Sequence, residues 1–162
     1  MNEERYIAVN SFWKNNPEYL KIAVLLSKIS ELAVYIIYPV FVSYLFAAGN
    51  SFAVTSVIDC GLGFIAVSAV RFFINAKRPY EVYGIPPIVK KDTEGRSMPS
   101  RHAFSAAVIA VNILAVCLPL GIAVSLLAVI ICALRILLGL HFIKDVAVGV
   151  LSGLGMGLLV FI

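Results

Sequence analysis

Long runs of apolar residues alternate with short polar links along most of this chain. Five runs reach or approach the length of about 20 residues that a helix needs to cross the hydrocarbon core of a bilayer. They cover residues 32–48, 52–74, 103–118, 122–140 and 146–162. The links between them are AGNS, a long polar segment at 75–102, PLG, and a tight turn around HFIKD. The pattern predicts an all-α integral membrane bundle of about five transmembrane helices.

The residues before the first run have a different character. Residues 3–30 mix charged residues with Ile, Leu, Phe and Trp13, as an amphipathic helix at a membrane interface does. We therefore divide the chain into an N-terminal amphipathic interfacial segment, 1–30, and a transmembrane domain, 31–162.

A sixth, broken span that starts near Tyr19 is the alternative. It would bring Lys21, Lys28 and Glu31 into the hydrocarbon, where charged side chains are costly.

The composition agrees with a membrane protein. Hydrophobic residues make up 61% of the chain and charged residues only 14%, whereas soluble domains contain about 25% charged residues. No basic segment runs directly into an apolar core at the N-terminus, so no cleavable signal peptide is expected. We expect a multi-pass protein of the cell membrane, with no nucleic-acid partner.

The charges lie on one side of the predicted bundle. Five alternating spans place the N-terminal segment, the 75–102 link and the last turn on one face. Seven basic residues occur between Arg71 and Arg101, and Arg135 and Lys144 flank the last turn, while AGNS and PLG carry no charge. The positive-inside rule accounts for such a bias, but it requires no particular spacing.

Three clusters with defined spacing lie on this face. They are RFFINAKRP (71–79), PSRH (99–102) and RILLGLHFIKD (135–145). Converging arginines bind phosphate oxygens through their planar forks and stabilise the additional charge of a transition state. Histidines supply a nucleophile and an acid. Together the clusters predict a site for a phosphate ester.

The third cluster has the spacing of an oriented histidine. His141 and Asp145 are four residues apart, so on a helical turn Asp145 can accept a hydrogen bond from one ring nitrogen and fix the tautomer. Arg135 lies six residues before His141, at the end of the fourth run, and we expect it at the floor of the anion pocket.

The other two clusters complete the predicted pocket. Arg71 and Arg78 are seven residues apart, which is two helical turns, so both can face one pocket from the second span. His102 opens the third span on the opposite side.

Each cluster also has a simpler interpretation. His141 and Asp145 alone could be a metal pair, although arginines nearby would repel a cation. His102 could be a helix-start residue with Ser100 as its N-cap, and the basic residues of the first cluster could be interfacial snorkelling residues.

Two features inside the spans are interpreted as structural. Gly149, Gly153 and Gly157 form one small-residue stripe, which lets membrane helices pack closely. For Asp59 we expect a hydrogen bond to a neighbouring helix.

The three clusters resemble the signature motifs of the type 2 phosphatidic acid phosphatase superfamily, KxxxxxxRP, PSGH and SRxxxxxHxxxD. This chain has Arg71-x6-Arg78-Pro79, Pro99-Ser100-Arg101-His102 and Leu134-Arg135-x5-His141-x3-Asp145. It departs from the motifs in having Arg71 for lysine, Arg101 for glycine and Leu134 for serine.

The resemblance implies a role for each matching residue. His141 would be the nucleophile that forms a phosphohistidine, Asp145 would orient it, and His102 would protonate the leaving group and then activate water. The residues that would hold the phosphoryl oxygens are Arg71, Arg78, Ser100 and Arg135. Lys77 and Arg101 are possible headgroup contacts. No metal and no other cofactor is expected.

The resemblance thus implies hydrolysis of a lipid phosphate or pyrophosphate of the polyprenyl pyrophosphate, phosphatidic acid or phosphatidylglycerophosphate class. Vanadate-dependent haloperoxidases have a similar anion pocket but are soluble. A non-enzymatic lipid-anion binding or transport protein is the alternative from another class, and Asp59 is the feature that it would explain better.

Overall fold

The computed structural model describes residues 1–90 and 94–161. Within these ranges the chain forms seven α-helices and a terminal 3-10 turn, and no strand. The helices are α1 (Glu3–Asn15), α2 (Pro17–Ala47), α3 (Phe52–Ile74), α4 (Pro79–Tyr83), α5 (Arg101–Leu114), α6 (Leu118–Leu137) and α7 (Ile143–Leu158). Residues 91–93 of the predicted link, and Ile162 at the end of the fifth predicted run, lie outside the described residues.

Each of the five predicted runs corresponds to one helix, but the boundary between the third and fourth runs was misplaced. Helix α5 ends at Leu114 and α6 begins at Leu118, so PLG forms the first turn of α6 and is not a separate link. Proline is tolerated there because the N–H that it lacks has no partner in a first helical turn.

The segment Phe52–Tyr83, which contains α3, and helix α6 (Leu118–Leu137) are long and apolar enough to cross a membrane. That five helices cross it stays a prediction.

The predicted single helix over residues 3–30 is wrong. The chain breaks at Asn16, and residues 17–30 continue without interruption into the first apolar run as the 31-residue helix α2. Pro17 explains the break, because proline fits the first position of a new helix but cannot continue an old one.

Helix α1 folds back onto the end of the bundle that carries the three clusters. The indole Nε1 of Trp13 donates to the carbonyl of Leu137 at 2.8 Å, and the side chain of Asn10 donates to the carbonyl of Pro86 at 3.1 Å. Tyr6 is completely buried beside Tyr83. Helix α1 therefore braces the loops of this end from outside.

Helix α5 is the central element of the bundle. Of its side chains from Ala103 to Ile113, all except Ser105 are buried, mainly against α6 and α7. Its 14 residues span only about 21 Å at 1.5 Å per residue. The buried side chain of Asn112 donates to Asp59 Oδ2 on α3 at 2.8 Å, which confirms the hydrogen bond predicted for Asp59.

The glycine stripe of α7 lies directly against α5, as predicted. A Cβ on Gly149 would lie 2.5 Å from the carbonyl oxygen of Ser100, and a Cβ on Gly153 would lie 2.5 Å from that of Phe104. Only glycine allows the two backbones to approach this closely. The stripe thereby allows α7 to pack closely against the first turns of α5.

Large apolar side chains cover the outer faces of α2, α3, α6 and α7. Examples that are more than half exposed are Ile36, Val40, Ile65, Leu126, Val129 and Leu151. A continuous apolar surface of this extent is stable only when lipid or protein covers it. It agrees with insertion of the bundle in a bilayer.

Substitution in the stripe tests this packing. We expect Gly153→Ala to lower the midpoint of thermal unfolding in detergent, because overpacking costs about 1–3 kcal/mol. Gly155→Ala is the matched control on the same helix, since no described part of the chain lies within 4 Å of a Cβ there. Equal midpoints for the two variants would contradict the close contact of α7 with α5.

Candidate functional site

The three clusters meet around one cavity of about 470 Å³ at the end of the bundle. The predicted site residues that line it are Arg71, Arg78, Arg101, His102 and His141. They come from the end of α3, the following linker, the start of α5 and the turn between α6 and α7. Segments up to 70 residues apart in sequence therefore form one pocket that is rich in arginine.

The two arginines of the first cluster reach the cavity from different elements. Helix α3 ends at Ile74, and Asn75 adopts a left-handed conformation with φ of 42° that turns the chain away. Arg71 therefore lies in the last turn of α3, while Arg78 lies in the linker just before α4. The expectation that both project from the second span was wrong, although they line the same cavity.

Backbone carbonyls hold both guanidinium groups. Arg71 Nη1 donates to the carbonyl of Pro99 at 3.1 Å, and Arg78 donates from Nε to Gly95 and from Nη1 to Leu140, both at 3.2 Å. A guanidinium has five N–H donors, so these bonds leave donors for an anion. Both side chains are buried, which keeps their charges in a medium of low dielectric.

Glu81 connects the two ends of the linker that contains Arg78. Its carboxylate accepts hydrogen bonds from the backbone N–H of Gly95 at 2.9 Å and from that of Arg78 at 2.8 Å. Gly95 has a φ of +63°, and a Cβ there would lie 2.5 Å from Asn75 Oδ1, so the position requires glycine. The linker thus presents the Gly95 carbonyl to Arg78 in a single geometry.

His141 and Asp145 are close but do not bond directly. The distance from His141 Nδ1 to Asp145 Oδ2 is 3.9 Å, which is too long for a hydrogen bond. The predicted direct bond is therefore wrong. Because α7 begins only at Ile143, His141 precedes the helix and does not lie one helical turn from Asp145.

Ser97 connects the two residues, and sequence analysis missed it. This completely buried hydroxyl lies 2.5 Å from Asp145 Oδ2 and 3.3 Å from His141 Nδ1. Since Ser97 donates its proton to the carboxylate, its oxygen accepts from Nδ1–H of His141. The resulting chain fixes the tautomer and leaves Nε2 as the basic nitrogen. The serine two residues before Pro99 was the available signal.

The ring of His141 is neutral. Burial, together with the nearby charges of Arg78 and Arg71, lowers its pKa to about 4 against the opposing effect of Asp145. A neutral imidazole with a lone pair on Nε2 is the form that acts as a nucleophile. At neutral pH the histidine therefore needs no prior loss of a proton.

His102 and Arg135 share a partner from outside the three clusters. His102 Nε2 lies 3.4 Å from Oε2 of Glu31, and Oε1 of Glu31 pairs with Nη2 of Arg135. Arg135 is buried behind this pair and does not line the cavity, contrary to the expectation that it forms the floor. The sequence feature that could have indicated this pairing is Glu31 itself, a carboxylate at the edge of an apolar run.

Ser100, Arg101 and Lys77 differ in their relation to the cavity. Ser100 is completely buried, its N–H donates to the carbonyl of Asp145 at 2.9 Å, and its hydroxyl has no hydrogen-bond partner among the described residues. It occupies the N-cap position of α5 but its side chain makes no capping bond. Arg101 is exposed, and its guanidinium lies 5.6 Å from the ring centre of Phe64. Lys77 lines a separate groove together with Lys144.

Taken together, the described residues form an all-helical bundle whose end carries an arginine-rich anion pocket with a buried neutral histidine. A sequence profile described as the PAP2 superfamily matches residues 40–162. The chain therefore belongs to the PAP2 superfamily, as the three motifs predicted. No match was found among curated protein sequences.

Two solved structures share the fold. LpxE from Aquifex aeolicus superposes with a TM-score of 0.75 at 23% identity, over 99% of this chain and 94% of that one. The transmembrane PAP2-type phosphatidylglycerolphosphate phosphatase from Bacillus subtilis superposes with a TM-score of 0.69 at 20% identity, over 99% and 86%. At these identities the likeness establishes the fold.

The protonation of His141 can be measured directly. The chain has only two histidines, so ¹⁵N-histidine spectra of the His102→Gln variant report His141 alone. We expect its ring to remain mostly neutral at pH 5.5, where a histidine with the ordinary pKa of about 6.5 is mostly charged. Circular dichroism at each pH verifies the fold. A midpoint near 6.5 would contradict the burial of the ring.

Proposed function

We propose that this protein is a membrane-embedded phosphatase that hydrolyses a lipid phosphate or pyrophosphate without a metal ion. Polyprenyl pyrophosphate, phosphatidic acid and phosphatidylglycerophosphate are the proposed substrate classes. The observation that carries the proposal is a buried His141 lining one cavity with Arg71, Arg78 and His102.

The location and the charge of the cavity support a lipid substrate. The site lies at one end of a bundle with an apolar outer surface, so a headgroup can enter while its tails remain in the bilayer. Arg71 and Arg78 would bind the phosphoryl oxygens, and the hydroxyl of Ser100, which has no partner among the described residues, would add a further donor. Arg96 and Arg101 line the same cavity and would contact the rest of the headgroup.

The proposed first step transfers the phosphoryl group to the protein. His141 Nε2 attacks phosphorus, a P–N bond forms, and the P–O bond to the lipid breaks. His102 gives its proton to the departing oxygen. The cation that develops on the His141 ring is stabilised through Ser97 by Asp145, as an oriented carboxylate stabilises an imidazolium in other triads. The arginines stabilise the charge of the transition state.

The proposed second step returns the enzyme to its starting state. His102, now neutral, takes a proton from a water molecule that attacks the phosphohistidine. The P–N bond breaks, inorganic phosphate leaves and His141 is again neutral. Arginines supply the positive charge that a metal supplies in other phosphatases, and a cation placed among them would be repelled.

The family and the neighbours support this assignment. Membership of the PAP2 superfamily agrees with hydrolysis of a phosphate ester, and the Bacillus subtilis neighbour is described as a transmembrane phosphatidylglycerolphosphate phosphatase. The rival proposal of lipid-anion binding or transport loses its main support, because the hydrogen bond to Asn112 accounts for the buried Asp59.

The nucleophile assignment predicts that His141→Ala abolishes phosphate release from every lipid substrate that the wild type hydrolyses. Asp145→Asn should slow turnover strongly without abolishing it, because it misorients the nucleophile without removing it. Lys144→Ala, at an exposed neighbouring position, is the control and should retain activity. Release of phosphate is measured on purified protein that elutes as a single species. Near-wild-type turnover of His141→Ala would refute the mechanism.

The arginine pocket predicts that activity survives EDTA and that vanadate inhibits. Vanadate mimics phosphate and adopts the five-coordinate geometry of the transition state, which the arginines should stabilise. Activity that is lost on chelation and returns with magnesium or zinc would replace this mechanism with a metal-dependent one.

A further inference from the structure

Glu31 is a carboxylate from α2 that reaches into the wall of the candidate site. Its Oε2 lies 3.4 Å from His102 Nε2 on α5, and its Oε1 pairs with Nη2 of Arg135 on α6. The hydroxyl of Ser27, one turn earlier on α2, donates to Oε1 at 2.8 Å. One side chain thus connects three helices at the back of His102.

The two oxygens of Glu31 have different partners. A carboxylate that served only to neutralise the buried Arg135 would need no contact with the site, since Arg135 itself does not line the cavity. Here the second oxygen faces the imidazole that does line it. A charged group in an apolar helix is costly unless its partners compensate, and one of the partners of Glu31 is a candidate catalytic side chain.

We propose that Glu31 is a positioning residue that holds His102, directly and by fixing Arg135 behind it, in the orientation and charge state needed to protonate the leaving group. The proposal rests on the phosphatase function proposed above. Glu31 lies before residue 40, where the match to the superfamily begins, so the family motifs do not assign it.

The contact determines which nitrogen of His102 serves the reaction. Because Nε2 is the ring nitrogen beside Glu31, the proposal assigns the proton for the leaving oxygen to Nδ1. In the second step Nδ1 takes the proton of the attacking water. The carboxylate keeps the ring in one tautomer when neutral and stabilises the ring when it is protonated.

The surroundings of His102 show why a carboxylate matters there. The other charged and titratable groups that line the cavity are Arg71, Arg78, Glu94, Arg96, Arg101 and His141. Arg135 adds a further positive charge behind Glu31. Most of these groups oppose a proton on the ring of His102. Glu31 is the carboxylate in ion-pair distance of that ring among the described residues, and it offsets their effect.

The test is Glu31→Gln, which retains the shape of the side chain and removes the charge. We expect kcat on a lipid monophosphate to fall on the order of 10-fold or more with little change in KM, because the lost interaction supports the acid and not the binding of phosphate. The basic limb of the pH profile of kcat should move to lower pH by about one unit, since His102 then loses its proton more readily. Glu18→Gln is the matched control, an exposed carboxylate on the same helix paired with Lys21.

Two further variants separate positioning from folding. Glu31→Asp retains the charge, so its basic limb should stay at the wild-type pH even if kcat falls. In a His102→Ala background, Glu31→Gln should cause little additional loss, because both changes remove the same function. The proposal is overturned if the basic limb of Glu31→Gln does not move or if that of Glu31→Asp moves. It is also overturned if the loss of kcat in the double variant equals the product of the losses in the two single variants.

Failure of this proposal is distinguishable from failure of the proposed function. The role of Glu31 alone would be refuted if the wild type is active, His141→Ala is inactive and the pH profile of Glu31→Gln is not shifted. Absence of phosphate release from the wild type would overturn both.

Discussion

The rest of the site depends on how two arginine charges are kept inside an apolar protein. Arg71 and Arg78 are buried, and an unpaired buried charge is prohibitively costly. The structure compensates them mainly with carbonyls at 95, 99 and 140, which belong to the linker, the residue before the N-cap of α5 and the last turn. Because carbonyls solvate the cations without neutralising them, the pocket remains positive and available to an anion.

The same requirement explains the surrounding architecture. The carbonyls can reach the guanidinium groups only if three chain segments converge, so Glu81 fastens the linker and the glycine stripe of α7 lets Ser100 approach. Helix α1 packs on the outside of these loops through Trp13 and Asn10. Hydrogen bonds from α1, the linker and the last turn thus hold this end of the bundle in place.

In the proposed mechanism two carboxylates, Asp145 and Glu31, orient the histidines that line the cavity. Asp145 reaches His141 through the hydroxyl of Ser97, and Glu31 lies beside His102 but outside the lining of the cavity. Neither lines the cavity, whose described lining has one carboxylate, Glu94, beside four arginines. In the proposed mechanism this separation lets both histidines be oriented by carboxylates while the substrate meets mainly positive charge.

The sequence by itself determined the class of fold, a helix at each of the five apolar runs and half of the described residues that line the cavity. Apolar runs of bilayer length leave few alternatives to helices, and the spacings of arginine and histidine in the three motifs reflect the chemistry that they serve. It did not determine that α2 continues from Pro17, that Arg78 leaves the helix, that Ser97 lies between His141 and Asp145, or that Arg135 pairs with Glu31. These features depend on contacts between residues 44 to 104 positions apart, or on where a helix ends, and only the folded chain decides which polar group each buried charge meets.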